Sequence, residues 1–135
     1  MMLKKLNHIA IVVPDLNKAK DIYVEKFNAK VSNVKEYPQH GVKVIFVELD
    51  NTKIELMEPF GDNSPVEKFL EKNPNGGIHH ICLEVSNIKE SLKSLKDKKV
   101  TVLGTGEPTI GSHNKPILFL HPKEFCGTLI ELEEE

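Results

Sequence analysis

The chain lacks any apolar run approaching the ~20 residues that a bilayer-spanning helix needs, so no membrane segment is predicted. Its first stretch, "MMLKKLNHIAIVVPDL", has a weakly basic start and a short apolar run. That run meets Pro14 and Asp15 and offers no small-residue cleavage site, so no secretory leader is expected. Cysteine is scarce. Cys82 and Cys126 lie far apart and form no C-x-x-C motif, which makes a reduced, cytoplasmic protein the default. An excess of one charge is also missing. The net charge of −2 gives no electrostatic case for nucleic acid or an anionic membrane. The densest lysine group, "KDKK" at 96–99, reads as a solvated helix end. No phosphate-binding glycine loop of the P-loop or dinucleotide type is present.

What remains is an ordinary globular composition, 39% hydrophobic and 28% charged over 135 residues. That length suits one domain, or two very small halves sharing a core. The chain repeats itself. "LNHIAIVVPDL" (6–16) aligns with "IHHICLEVSNI" (78–88) at an offset of 72, placing His8 on His80, Ile9 on Ile81, Ala10 on Cys82 and Val13 on Val85. Each segment reads as a strand leading into a helix. Asp15 is a plausible N-cap for "LNKAKDIYVEKF". Asn87 with Glu90 three residues on forms a variant capping box for "IKESLKSLKDKK". In the first helix Leu16, Ala19, Ile22, Tyr23 and Phe27 recur at helical spacing.

The second parts of the halves match as well. "VIFVELDNTKIELMEP" reads as strand, turn, strand, with "DN" in the turn. "PILFLHPKEFCGTLIELEEE" reads the same way with a longer turn, and Glu55 falls on Glu131 at an offset of 76. Each half is thus β-α-β-β-like, with a further strand expected around "AKVSNVKEY" and "VTVLGTGEP". Between them, a short helix with Ser64 as N-cap and Pro65 at its first position is expected, ended by Asn-Pro-Asn-Gly-Gly. Module 1 runs over about 4–60, the connector over about 61–77 and module 2 over about 78–133, within a single domain.

Neighbouring side chains on a strand point to opposite faces. Ile9, Ile11 and Val13 therefore share a face, as do Ile81, Leu83 and Val85, Ile54 and Leu56, and Ile130 and Leu132. These are the faces the helices should cover. The opposite faces carry His8, His80, Glu55 and Glu131, one from each of four strands at equivalent points of the repeat. If the sheets curve into a cleft, all four project into it. Two neutral imidazoles and two carboxylates balance a divalent first-row ion. Four tetrahedral ligands would make a closed zinc site, whereas six-coordinate Co, Ni, Mn or Fe would keep two open positions. The oxygen-rich set leans toward the open case. A lone strand histidine is ordinarily a hydrogen-bonded core residue; the coincidence of His on His and Glu on Glu favours ligation. Alternation also separates the adjacent His79 and His80. His80 is the partner of His8, and His79 falls on the apolar side as a structural residue.

These features resemble the vicinal oxygen chelate superfamily of glyoxalases, extradiol dioxygenases and epimerases. Within it, "IELMEP", "SPVEKFL", "GGIHHI", "FLHPK" and "TLIEL" are similar to the methylmalonyl-CoA epimerase family. The resemblance covers nearly the whole chain. It implies an α+β fold of two tandem βαβββ modules forming a curved, barrel-like mixed-sheet cleft with helices outside. It implies His8, Glu55, His80 and Glu131 as ligands of a divalent ion such as Co²⁺, Mn²⁺ or Ni²⁺, a CoA thioester substrate and a homodimer.

The implied reaction interconverts (R)- and (S)-methylmalonyl-CoA by removing the α-proton to give a metal-stabilised enolate. Inversion is simplest with two bases. Glu131 matches one glutamate assigned that role in the family. The other family position falls on Val44 here, so the second base must come from elsewhere. Glu48, on the same strand face, and His113, in the loop "IGSHNK", are the candidates. His40 is a weaker loop candidate, and His121 is expected to shape a turn. Lys115 and Lys123 are assigned no role. The alternatives are a glyoxalase-type isomerase of a thiol hemithioacetal and a non-catalytic small-molecule binding protein of the same fold. An extradiol dioxygenase fits less well, because Glu55 fills a position that O₂ or substrate would use.

Overall fold

The protein is described by a computed structural model over residues 3–135. In chain order the elements are β1 (Leu3–Val12), α1 (Leu16–Phe27), β2 (Lys30–Val31), β3 (Lys35–Tyr37), β4 (Val42–Glu48), β5 (Lys53–Pro59), α2 (Glu67–Lys72), β6 (Gly77–Val85), α3 (Ile88–Asp97), β7 (Thr109–Ile110), β8 (Pro116–Leu120) and β9 (Ile130–Glu134). Among the described residues the fold is α+β, with three α-helices and mixed sheet pairing. No helix among them is long and apolar enough to cross a membrane. The chain divides into two compact units. One is His8–His79; the other joins the strand residues before His8 to His80–Glu135.

In the first unit the strand order is β2-β4-β5-β1, with β3 also on β4. The β1–β5 pairing is parallel and β4–β5 antiparallel. The second unit has the order β6-β9-β8-β7, with β6–β9 parallel and β8–β9 antiparallel. The registers are equivalent. Ile9 stands opposite Ile54 and Ala10 opposite Glu55; Ile81 stands opposite Ile130 and Cys82 opposite Glu131. The extra strand expected in each half is fragmentary. In the first it is split into β2 and β3, and in the second it is a single bridge from Val102 to Leu120 followed by β7.

The helix entries repeat too. Asp15 accepts the Lys18 amide at 3.0 Å, and Asn87 accepts the Glu90 amide at 3.0 Å. A second carboxylate closes each start. Glu58 Oε1 accepts the Leu16 amide at 2.9 Å, and Glu134 Oε2 accepts the Ile88 amide at 2.9 Å. A helix leaves its first amides without internal partners, and a carboxylate there also meets the positive end of the helix dipole. Each sheet therefore ties down the start of its own helix from the strand that follows the hairpin.

The helix-covered faces are as alternation predicts. Leu16 and Ala19 pack with Ile45, Val47 and Leu56 in the first unit. Ile88, Leu92 and Leu95 pack with Val85, Leu118, Leu120, Ile130 and Leu132 in the second. Each fully buried leucine contributes about 1.5–3 kcal/mol relative to exposure. Two members of the expected α1 stripe are exposed, Ile22 and Phe27. Ile22 lies about a quarter of a turn from the mean direction of Leu16 and Ala19. Phe27 ends the helix and packs at a tilt against Tyr23, with ring centroids 5.7 Å apart.

The connector helix runs from Glu67, with Val66 just before it. Ser64 caps the turn that leads into it: its Oγ accepts the Val66 amide at 3.4 Å and its carbonyl accepts the Glu67 amide at 3.2 Å. The same hydroxyl donates to the Gly41 carbonyl at 2.6 Å, which anchors the loop. The two turns follow the expectation. Leu49 and Thr52 close the short "DN" hairpin at 2.9 Å. In the longer one, His121 Nδ1 accepts the Lys123 amide at 3.0 Å and caps a 3₁₀ turn over Pro122–Glu124.

Candidate metal and proton-transfer site

The sheet faces opposite the helices carry the ligand-type residues. His8, Glu55, His80 and Glu131 are 2%, 3%, 4% and 7% exposed. They form two pairs, each within its own unit. His8 Nε2 lies 3.7 Å from Glu55 Oε1, and His80 Nε2 lies 3.1 Å from Glu131 Oε1. In both, the histidine sits two residues before the small residue that stands opposite the glutamate: Ala10 in one case, Cys82 in the other. Both small residues are wholly buried. Their short side chains leave the carboxylate room to lean diagonally toward the imidazole.

A third member of each pair comes from the hairpin strand. Phe46 stands opposite Glu55 and packs edge-on against His8, with centroids 6.2 Å apart and planes at 74°. Phe119 stands opposite Glu131 and meets His80 at 5.5 Å and 86°. Edge-to-face packing is a favoured aromatic arrangement, and it fixes how each imidazole can turn. Sequence reasoning did not select these phenylalanines. The repeat held the signal, since "IFV" and "LFL" place them at an offset of 73, between the strand offset of 72 and the hairpin offset of 76.

The donor chemistry of each pair suits a divalent cation. Both histidines present Nε2, both glutamates present an oxygen, and burying a carboxylate is costly unless positive charge accompanies it. Beside the first pair, burial and then the Glu55 charge raise the Tyr37 phenol above its ordinary 10.0. Tyr37 is therefore a neutral phenol at physiological pH.

His79 is half-buried and packs edge-on against Phe69 of α2, with centroids 5.3 Å apart. It belongs to packing rather than to the His80 pair. Val44, where the family pattern has glutamate, is buried with Ala10, Val12, Val42, Met57 and Val66. Glu48 is exposed at the end of β4, opposite Lys30 on β2 and Lys53 on β5. His113 reaches Glu133, its Nδ1 lying 2.8 Å from Oε1. Glu133 is 2% exposed and was not selected from sequence. His40 lies in the turn between β3 and β4, beside the Tyr37 ring. Neither Cys82 nor Cys126 is in a disulfide.

The profile of the glyoxalase/bleomycin resistance protein/dioxygenase superfamily matches residues 7–119, and the chain belongs to that superfamily. Within it, the chain is 55% identical over 133 residues to the ethylmalonyl-CoA/methylmalonyl-CoA epimerase of Cereibacter sphaeroides, covering 98% of this chain and 99% of the relative. It is 52% identical to the mitochondrial methylmalonyl-CoA epimerase of Homo sapiens, covering 98% of this chain and 74% of that one. A solved methylmalonyl-CoA epimerase in complex with methylmalonyl-CoA and NH4+ superposes with a TM-score of 0.89 at 30% identity, over 99% of this chain and 96% of that one. The chain is thus a member of the methylmalonyl-CoA epimerase family.

Proposed function

We propose that the protein is a metal-dependent epimerase that interconverts (R)- and (S)-methylmalonyl-CoA. The observation that carries this reading is the pair of equivalent buried His–Glu sets in a chain 55% identical to an ethylmalonyl-CoA/methylmalonyl-CoA epimerase. The family resemblance implies His8, Glu55, His80 and Glu131 as the ligand positions for a divalent ion. Such an ion supplies Lewis-acid stabilisation of the negative charge that the substrate gains on losing its α-proton.

The proton itself is handled by side chains. The α-carbon lies between a thioester and a carboxylate. When its C–H bond breaks, the electron pair delocalises into the thioester carbonyl and the proton passes to a base. A second group returns a proton to the opposite face, so nothing is gained or lost overall. Glu131 is one such group, with its Oε1 already turned toward His80. His113 is the other in this reading, because it is held by a buried carboxylate, whereas Glu48 is exposed at a strand end. A neutral imidazole has a suitable basicity near pH 7. A reducing, cytoplasmic setting is the one that two distant cysteines with no C-x-x-C spacing suggest, and a homodimer is the assembly that the family resemblance implies.

The test uses one pure epimer of methylmalonyl-CoA in D₂O, with Co²⁺ present or chelated. Expected are deuterium at the α-carbon and formation of the other epimer, both dependent on the metal. Absence of exchange in the metal-loaded protein, with turnover of a glutathione hemithioacetal instead, would establish the glyoxalase-type alternative.

A further inference from the structure

We propose that Glu133 is a positioning residue that holds His113 in the Nδ1–H tautomer, so that Nε2 carries the lone pair that takes up the proton. The inference rests on the epimerase reading and adds to it a residue and an atom.

The geometry begins at Gly111. The loop from Gly111 to Lys115 joins β7 to β8 and is closed twice: the Gly111 amide donates to Lys115 at 2.9 Å, and the Asn114 amide donates to Gly111 at 3.0 Å. Asn114 takes the left-handed conformation, φ 61°, that such a tight reversal needs and that asparagine tolerates. Gly111 is itself buried, and a Cβ there would stand 2.8 Å from Ile117 Cγ2. The loop thus folds back onto Ile117 because Gly111 has no side chain. Ile117 is the residue directly opposite Glu133 in the β8–β9 ladder. Register therefore delivers His113, from a loop, to a carboxylate on the neighbouring strand.

Glu133 lies two residues after Glu131 on β9 and so shares its face. Its side chain is 3% exposed and that of His113 is 24% exposed. His113 Nδ1 and Glu133 Oε1 lie at hydrogen-bond distance, 2.8 Å, and a carboxylate oxygen facing an imidazole nitrogen takes the acceptor role, which is why we assign the proton to Nδ1. In a neutral ring, one nitrogen with a proton leaves the other with the lone pair. The same logic makes a buried carboxylate orient the imidazole of a hydrolase triad, where it fixes tautomer and orientation without touching substrate. The other carboxylate on this face at that level, Glu84, is opposite Glu133 on β6 and accepts Asn7 Nδ2 at 2.9 Å. The two acids therefore have separate donors.

The experiment is a long-range ¹H–¹⁵N correlation spectrum of the ¹⁵N-labelled full chain at pH 7.5, beside steady-state kinetics with methylmalonyl-CoA. The expected wild-type His113 pattern has a protonated Nδ1 and an unprotonated Nε2. In Glu133→Gln the pattern should shift toward the Nε2–H tautomer. Its kcat should fall by about 10²-fold or more, within the range general acid–base groups contribute, while KM stays within about threefold. Glu133→Asp should restore part of both. A wild-type spectrum with the proton on Nε2 overturns the proposal and needs no variant, so poor folding of Glu133→Gln cannot shield it. Wild-type kcat in a folded Glu133→Gln also overturns it. His113→Gln separates the two readings. If that variant keeps full exchange while the spectra behave as expected, the base assignment fails and the tautomer lock stands.

Discussion

Cys82 stands directly opposite Glu131 in the parallel pairing of β6 and β9, and it is wholly buried. The thiol's small size is what leaves the carboxylate space beside His80. Cys82→Leu should therefore crowd Glu131 away from the imidazole, and overpacking should cost about 1–3 kcal/mol of stability. Co²⁺ affinity measured by titration calorimetry should fall by at least tenfold. Cys82→Ala, which keeps the space, should bind the ion as the wild type does. Equal affinity in Cys82→Leu would sink the role given to this gap.

The adjacent histidines should separate cleanly on mutation. His80→Ala removes a buried donor and should abolish metal-dependent exchange in the deuterium assay. His79→Ala removes an edge-on contact with Phe69 and should keep turnover, with a loss of about 0.5–1.5 kcal/mol in denaturant unfolding. The reverse pattern would overturn the face assignment of β6.

Glu134 closes the start of α3 through the Ile88 amide. Glu134→Ala should destabilise the protein by about 1 kcal/mol, the ordinary cost of losing a helix-capping acceptor. The readout is the denaturation midpoint. Glu58→Ala, its counterpart at Leu16, should behave alike. Neither should alter metal affinity, which distinguishes a fold-tying carboxylate from a ligand three residues away.

Removal of metal by a strong chelator should stop turnover and lower the melting temperature. Restoring Co²⁺ at 100 times its dissociation constant should return about 2.7 kcal/mol of stability by mass action. A melting temperature insensitive to both treatments would mean that the buried pairs hold no ion.

Much of this was legible because the chain states its plan twice. The offset of 72 set His8 on His80, and strand alternation placed each histidine away from the helix-covered face. Glu55 and Glu131 followed from the matching hairpins. What the pattern did not disclose depended on partners distant in sequence. Ser64 caps as its place before Pro65 suggests, but the second bond of its hydroxyl, to the Gly41 carbonyl, carries no local signal. Glu58 follows an apolar pair and Glu133 and Glu134 sit in a terminal acidic string, and only register gives them an amide or an imidazole. Ile22 and Phe27 show the limit of helical spacing, since one lies off the stripe and the other is the last residue of its helix.

Each buried His–Glu pair has a consequence for the life of the protein in a cell. A chain that must bury carboxylates with no cation beside them opens more often, and an opened chain is what proteases cut. Turnover would then couple to metal supply. Under starvation for the ion, the apo-protein would be cleared while loaded molecules persisted, and the standing pool of enzyme would follow the cofactor without any change in its synthesis.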